Sequence, residues 1–407
     1  MTGLPVRADA VVVGGGTVGG WCASFLRSAG LDRVVVVEQG VLGCGASSRA
    51  AGMVRGQGGT PVAVVLGTWT RDFYRGQAAW SGPDSGFVEQ GYYLPAFTEQ
   101  QRSEARDRMR MQQALGLEVE WLDPPEADRR NPTLAGGSTL GGTYAARDGY
   151  LDPPRNVTAY ASALRSAHVH VAEHTEFLAL DRGPGGEATG VVTSSGTIAT
   201  DRVVLTGGPS LRGIAARAGV RVPVGGVRHQ VAVTEPHAEL SPDRLPMVFD
   251  VAAGIYWRPE DGGILFGMSN PAEPPGPARN VDWPYLATMR ARLAELVPVT
   301  AGLGLRKVWA ATIDYTPDHL PILGPALDVD GSAIGGVTVA AAGGHGMMWG
   351  PAVSRIAADL ALEGRTRLLD AADLSVDDLG LGRFDERGRS RLAADPIALP
   401  FPEDAVA

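Results

Sequence analysis

Lysine is nearly absent from this chain: of 36 basic residues only Lys307 is not an arginine. A Schiff-base or pyridoxal mechanism would have to run through that one side chain. Cysteine is almost as scarce. Cys22 and Cys44 are the only two, too few for a disulfide framework or a cysteine-built zinc site, and a reducing cytoplasm is the expected home. Positive charge does not accumulate either. The 407 residues carry a formal net charge of −9, and no Lys/Arg run supplies the basic patch that a nucleic-acid partner requires. The amino terminus lacks the basic segment, apolar core and cleavage site of a secretory leader, so none is expected. The longest nearly uncharged stretch, 331–351, is dense in glycine and broken by His345. It reads as strand, glycine turn and helix start rather than as a membrane span. What remains is ordinary: 44% hydrophobic and 20% charged residues, near globular averages, in a length that suits two domains.

The first fifty residues predict a βαβ unit. Ala10–Val13 is a short β-branched run, Gly14-x-Gly16-x-x-Gly19 follows at once, a helix is expected from about Gly20 to Ala29, and Val34–Val37 ends at Glu38. Uninterrupted apolar runs of this length suit strands buried on both faces of a parallel sheet. The glycines, with Thr17 and Val18 among them, let a backbone approach a pyrophosphate and lead into a helix whose free N–H groups meet it. Glu38, 19 positions beyond Gly19, can accept from ribose hydroxyls, with Gln39 beside it. A nicotinamide dehydrogenase would continue with further βα units. This chain breaks instead into the polar turn 43–52, and a later strand ends in Thr206-Gly207-Gly208, a second close backbone approach. Both features point to a flavoprotein.

The pattern further along predicts helices over Glu99–Leu115 and Arg155–Ala167, a β-meander from Glu176 to Thr200, strands at Val227–Val233, Gly254–Arg258 and Ile264–Met268, and a helix over Trp283–Leu296. Strand, turn and helix return at Val337–Leu362. The expected architecture is α/β: a Rossmann-type FAD-binding domain, built from 1–82, 143–222 and 305–370, interleaved with an α+β substrate domain of mostly antiparallel sheet from 83–142 and 223–304. Residues 371–407, acidic and punctuated by Pro and Gly, read as a surface tail.

These segments carry a resemblance. From about Asp9 to Leu362 the chain resembles the amine-oxidising FAD family that includes sarcosine oxidase, dimethylglycine dehydrogenase, glycine oxidase and D-amino-acid oxidase. The carriers are 14–19 with Glu38, the turn 45–52, Asp148-Gly149-Tyr150-Leu151-Asp152-Pro153, Arg228-His229-Gln230 through Thr234-Glu235, Gly254-Ile255-Tyr256-Trp257-Arg258-Pro259, Thr316-Pro317-Asp318 through Pro321, and Gly343-Gly344-His345-Gly346-Met347-Met348. The resemblance implies that Ser47, Ser48, Arg49, Ala51, Gly52 and Met53 line the pyrophosphate and flavin, and that Gly344, Gly346 and Met347 pass beside the isoalloxazine ring. His345 is then near the flavin, or else a turn histidine. A helix starting near Pro351 would aim its N–H groups at the anionic end of a reduced flavin.

Departures from the family sharpen the expectations. Arg49 stands where dimethylglycine dehydrogenase-like members tether FAD through a histidine, and Ala311 where sarcosine oxidase-like members use a cysteine, so non-covalent FAD is expected. Leu265 replaces a lysine that helps oxygen react, which leaves oxygen or a partner carrier as acceptor. Arg55 matches an arginine that holds a substrate carboxylate, but Met348 replaces the lysine of that pocket and Ile313 the glycine-oxidase arginine. Either Arg55 alone or Arg55 with Arg258 holds the carboxylate, or the substrate is not a simple amino acid. Tyr256 and Trp257 alternate along a strand, so one should face the cavity, and Tyr256 matches a substrate-contacting tyrosine. Asp318 reads as a structural turn residue. The reaction implied is oxidation of a secondary or tertiary amine to an imine by hydride transfer to flavin N5, with His345, Tyr256 and Arg55 at its centre. A tailoring oxidase of larger metabolites and a flavin subunit of a hetero-oligomer are the alternatives. No metal is expected: the seven histidines are scattered.

Overall fold

The computed structural model describes residues 3–241, 245–278, 280–372 and 375–400. Its first sheet has six strands in the order Ile322–Leu327, Ala333–Ala341, Val203–Leu205, Ala10–Val13, Val34–Val37 and His170–Ala172. All neighbours run parallel except the first pair. The valine runs explain themselves here. Val12, Val34 and Val36 pack with Trp21, Tyr160 and Ile356 under the helices Thr17–Ser28, Pro153–Ser166 and Gly350–Glu363. Val11, Val13, Val35 and Val37 face the other way, onto Phe177, Val191 and Leu211 of a three-stranded antiparallel meander and a short helix. Alternate residues feed two cores, so neither face carries polar side chains.

The helix predicted from Gly20 begins at Thr17. The glycine motif permits the earlier start: a Cβ on Gly19 would lie 1.8 Å from the Gly14 carbonyl oxygen, a contact no other residue could make. The helix expected over Arg155–Ala167 runs Pro153–Ser166, capped by Asp152, which accepts from the Arg155 N–H at 2.9 Å, with Pro153 in the first turn. The helix Trp283–Leu296 has its predicted bounds and is capped by Asp282.

The second sheet has eight strands: Leu305–Tyr315, Gly225–Thr234, Gly263–Met268, Ile255–Glu260, Met247–Asp250, Tyr92–Pro95, Gly142–Ala145 and Glu120–Leu122. It is antiparallel apart from the pairing of Met247–Asp250 with Tyr92–Pro95. Two segments expected on the nucleotide side belong to this sheet. Leu305–Tyr315 pairs with Gly225–Thr234 along its whole length, and Gly142–Ala145 pairs with Tyr92–Pro95. One face packs on the helix Trp283–Leu296 through Trp257, Phe266, Met289 and Leu293. The other carries Val231, Tyr256, Leu265 and Phe249.

The expectation of a surface tail is overturned. Leu379, Arg383 and Ile397 are buried, although among its described residues the segment's regular pieces are short 3₁₀ turns. Its anchor is an ion pair. Arg383 Nε donates to Asp318 Oδ2 at 2.7 Å and Nη2 to Oδ1 at 3.0 Å, and the Ser390 hydroxyl donates to the same carboxylate at 2.6 Å. Asp318 is thus structural, as read from its turn. Breaking a buried pair leaves a charge without compensation and costs about 3–5 kcal/mol. Arg383→Met is therefore expected to lower the free energy of unfolding by about 3 kcal/mol, and a urea midpoint unchanged from wild type would refute the anchor.

Candidate active site

The two sheets enclose a cavity of about 660 Å³, within the ~300–1,000 Å³ common for cofactor and ligand sites. Gly14, Gly16, Thr17, Val18 and Gly19 line it where the central strand gives way to its helix. That helix has no side-chain cap at Gly16 and no acidic residue in its first turn, which leaves N–H donors for an anion. The Thr17 N–H reaches Ser47 Oγ at 2.9 Å. Glu38 accepts from the Gly15 and Gly40 N–H groups, each at 2.7 Å. These two bonds fix the carboxylate and leave its other lone pairs for a ligand hydroxyl. At Gly45 and Gly346 an added Cβ would meet no protein atom within 4 Å, so both backbones stand open beside the cavity. A dinucleotide phosphate and ribose fit this donor and acceptor set.

The other expected cofactor contacts, Gln39, Ser47, Arg49, Ala51, Gly52, Met53, Gly207, Gly208, Gly344, Gly346 and Met347, also line the cavity. Ser48 does not, because it lies in the short 3₁₀ turn Ala46–Ser48 with its neighbour Ser47 turned inward. Arg49 Nη1 donates to the carbonyls of Cys44 and Gly45, the latter at 2.8 Å, so its guanidinium ties the loop together. The helix expected to aim at the site starts at Gly350, and neither Gly350 nor Pro351 lines the cavity. Residues 344–348 face it instead, held by Asp314, whose Oδ2 accepts from the Gly343 N–H at 3.1 Å.

Arg55, Tyr256, His345 and Met348 all line the cavity, as do Ala311 and Ile313. Arg258 does not, which corrects its expected part in substrate binding. Its guanidinium goes to Glu260 on the same strand and to the Ala51 carbonyl at 2.9 Å, 4.2 Å from the Tyr150 ring centre. Leu265 sits in the apolar layer behind Tyr256 and leaves the cavity lining to others. The choice between Tyr256 and Trp257 resolves by strand alternation: Tyr256 faces the cavity and Trp257 the helix core.

Arg55 is 3% exposed. Nη2 donates to the Ile397 carbonyl at 3.0 Å and Nη1 to the Gln57 carbonyl, with the Phe249 ring centre 5.5 Å away. Buried Asp148 holds this stretch by accepting from the Gly56 N–H at 2.8 Å. Among the described residues no carboxylate lies within ion-pair distance of Arg55. Among the described residues its hydrogen-bond acceptors are these two backbone carbonyls, so no carboxylate there offsets the charge.

Sequence reasoning missed His229. It lines the cavity, and its Nε2 lies 2.7 Å from the Tyr256 hydroxyl with the rings stacked at 5.7 Å. The signal was present, since His229 is the first inward residue of the Arg228–Glu235 segment. Burial lowers the His229 pKa to about 4 and raises that of Tyr256. His345 stacks on Trp349 at 3.9 Å and shares a 3.1 Å bond with the Gly343 carbonyl, which puts its proton on Nδ1. Burial first, then the nearby Arg55 charge, hold its pKa at about 3.

A family model for FAD dependent oxidoreductases matches residues 9–360. The chain belongs to that family. This FAD-dependent oxidoreductase is 30% identical over 325 residues to 4-methylaminobutanoate oxidase (formaldehyde-forming) of Paenarthrobacter nicotinovorans, covering 77% of this chain and 39% of that one. It is 28% identical to glycine oxidase of Geobacillus kaustophilus, covering 91% and 97%. It spans only 38% of human mitochondrial sarcosine dehydrogenase. Among solved structures, L-proline dehydrogenase from P. horikoshii superposes with a TM-score of 0.86 at 26% identity, over 95% of this chain and all of that one. Among the described residues, no helix is long and apolar enough to cross a membrane, and no group of three acidic, His or Cys side chains is arranged to hold a metal ion.

Two buried neutral histidines make the fold sensitive to acid. With folded values near 4 and 3 against about 6.5 unfolded, the unfolded chain binds more protons, so stability falls as pH drops below about 6.5. His170 and His319 shift in the same direction. The melting temperature is expected to fall between pH 6.5 and 5, and less steeply in His345→Asn. Equal slopes would show that this histidine is not held neutral.

Proposed function

We propose that the chain oxidises a secondary or tertiary amine that carries a carboxylate, an N-alkyl or cyclic amino acid, using non-covalently bound FAD. The observation that carries this reading is Arg55, a buried guanidinium on the cavity wall with no carboxylate of the described chain beside it. A substrate carboxylate is the natural counter-ion, in the bidentate geometry that arginine favours. The names of 4-methylaminobutanoate oxidase, glycine oxidase and L-proline dehydrogenase point the same way. Non-covalent attachment is supported by Arg49 and Ala311 at the two positions where relatives of the resembled family carry a nucleophile. Free Cys44 belongs to the Glu38 end, 3.9 Å from that carboxylate.

When bound, FAD supplies the acceptor for two electrons from the C–H bond next to the substrate nitrogen. The chain's part is to bind, orient and keep dry. Arg55 fixes one end of the substrate. Phe249, Met348 and Tyr256 give that end apolar walls, which exclude water and favour the neutral amine over the ammonium form. The His229–Tyr256 hydrogen bond fixes the phenol hydroxyl in the cavity, and both groups stay neutral at working pH. Neither has to act as a base, because a neutral amine needs no proton removed before it gives up hydride.

Anaerobic titration of the purified yellow protein tests the reading. Sarcosine, dimethylglycine or L-proline is expected to bleach the flavin band, and Arg55→Met to lower kcat/KM by about 100-fold or more, mainly through KM. A flavin unmoved by every small amino acid would overturn the substrate class. Glu38→Ala is expected to weaken FAD binding at least tenfold.

The acceptor is read as a partner carrier. Lys307 does not line the cavity, so no lysine ammonium faces it, and Leu265 is apolar where an oxygen-assisting lysine would stand. Reduced enzyme should reoxidise slowly in air and quickly with a phenazine dye, and rapid turnover on oxygen alone would refute this.

A further inference from the structure

The carboxyl-terminal segment enters the cavity. From its anchor at Asp318 the chain continues to Asp395, whose N–H donates to the Asp318 carbonyl at 3.1 Å. Asp395 Oδ1 then accepts from the Ile397 N–H at 3.0 Å. Ile397 is fully buried and packs in one apolar cluster with Met53, Tyr92, Phe249 and Tyr256, with half-buried Leu399 against it. Both Ile397 and Leu399 line the cavity, and the Ile397 carbonyl holds Arg55 Nη2. The seat is built for the segment. At Gly59 an added Cβ would lie 1.9 Å from Asp395 Oδ1 and 2.9 Å from Ile397 Cγ1, and Gly59 itself does not line the cavity.

We propose that this strap is the specificity-determining wall of the substrate end: Ile397 and Leu399 set the size of the group that lies against them, and the Ile397 carbonyl positions Arg55. This rests on the reading of Arg55 as the carboxylate site. A ligand anchored on Arg55 lies next to the residue whose carbonyl holds that guanidinium, so its apolar body must meet the strap. A single methylene in a hydrophobic pocket is worth about 10–200-fold in discrimination, which is the scale on which two branched aliphatic side chains act.

Benzoate and 2-naphthoate serve as probes, their binding to the holoenzyme measured by calorimetry with FAD affinity as a control. Ile397→Ala is expected to raise the naphthoate-to-benzoate affinity ratio about tenfold or more with FAD affinity within twofold, and Leu399→Ala, at a half-buried position that tolerates truncation, to move it the same way. Gly59→Ala, outside the cavity, should reproduce the effect by unseating the strap. An unchanged ratio in folded Ile397→Ala and Leu399→Ala, with both probes lost in Arg55→Met, would sink the strap and spare the carboxylate site. A shifted ratio with undiminished binding in Arg55→Met would do the reverse. Binding of neither probe by the wild type would overturn both.

Discussion

The Arg55 guanidinium is withdrawn from water and, among the described residues, held by carbonyl oxygens alone, and much of the surrounding structure keeps it there. Asp148 fixes the backbone on one side, through Gly56, and is itself buried, with its pKa raised by that burial and held back by the Gly56 N–H and by Arg71. The Ile397 carbonyl fixes the guanidinium on the other. These supports come from two stretches, at 148 and at 397, each far from Arg55 in sequence. Arginine suits the role because it keeps its charge wherever it is buried and offers a rigid fork of donors, several of which remain after two carbonyls are satisfied.

The two sheets divide the labour at the cavity. The parallel sheet brings backbone groups, at the carboxyl ends of strands where the connections leave room for a ligand. The antiparallel sheet brings side chains from one face only, since its other face is committed to a helix. Phe249, Tyr256 and His229 follow from that commitment: with Trp257 and Phe266 turned to the helix, strand alternation leaves their neighbours no other direction.

Much of this was legible beforehand, and the parts that were not share a physical cause. Val34–Val37 and the glycine motif announce themselves because every residue in them is constrained by near neighbours. Trp283–Leu296 does so because its bounds follow from the local sequence pattern, and the structure gives it those bounds. The expectation placed 305–370 together on the nucleotide side by nearness in sequence, whereas the pairing of Leu305–Tyr315 is decided by a partner some eighty residues away. Arg258 shares a strand face with Tyr256, so alternation alone points it toward the cavity; Glu260 on the same face and the distant Ala51 carbonyl and Tyr150 ring draw it away. Residues 375–400 carry no periodicity at all. Their burial depends on one arginine meeting one aspartate across 65 positions, an event with no local trace.

The route of the strap has a consequence for how the molecule is made. Domains form as the chain emerges from the ribosome, amino-terminal parts first, yet here the central strand Ala10–Val13 must wait for Val203–Leu205, and that strand for Ala333–Ala341, before the parallel sheet is complete. The wall against Arg55 comes later still, with residue 397. A nascent chain that already has its nucleotide cradle therefore has an open, unfinished chamber beside it. In order of synthesis, the glycine turn at 14–19 and the turn at 343–348 both precede the residue that closes on Arg55.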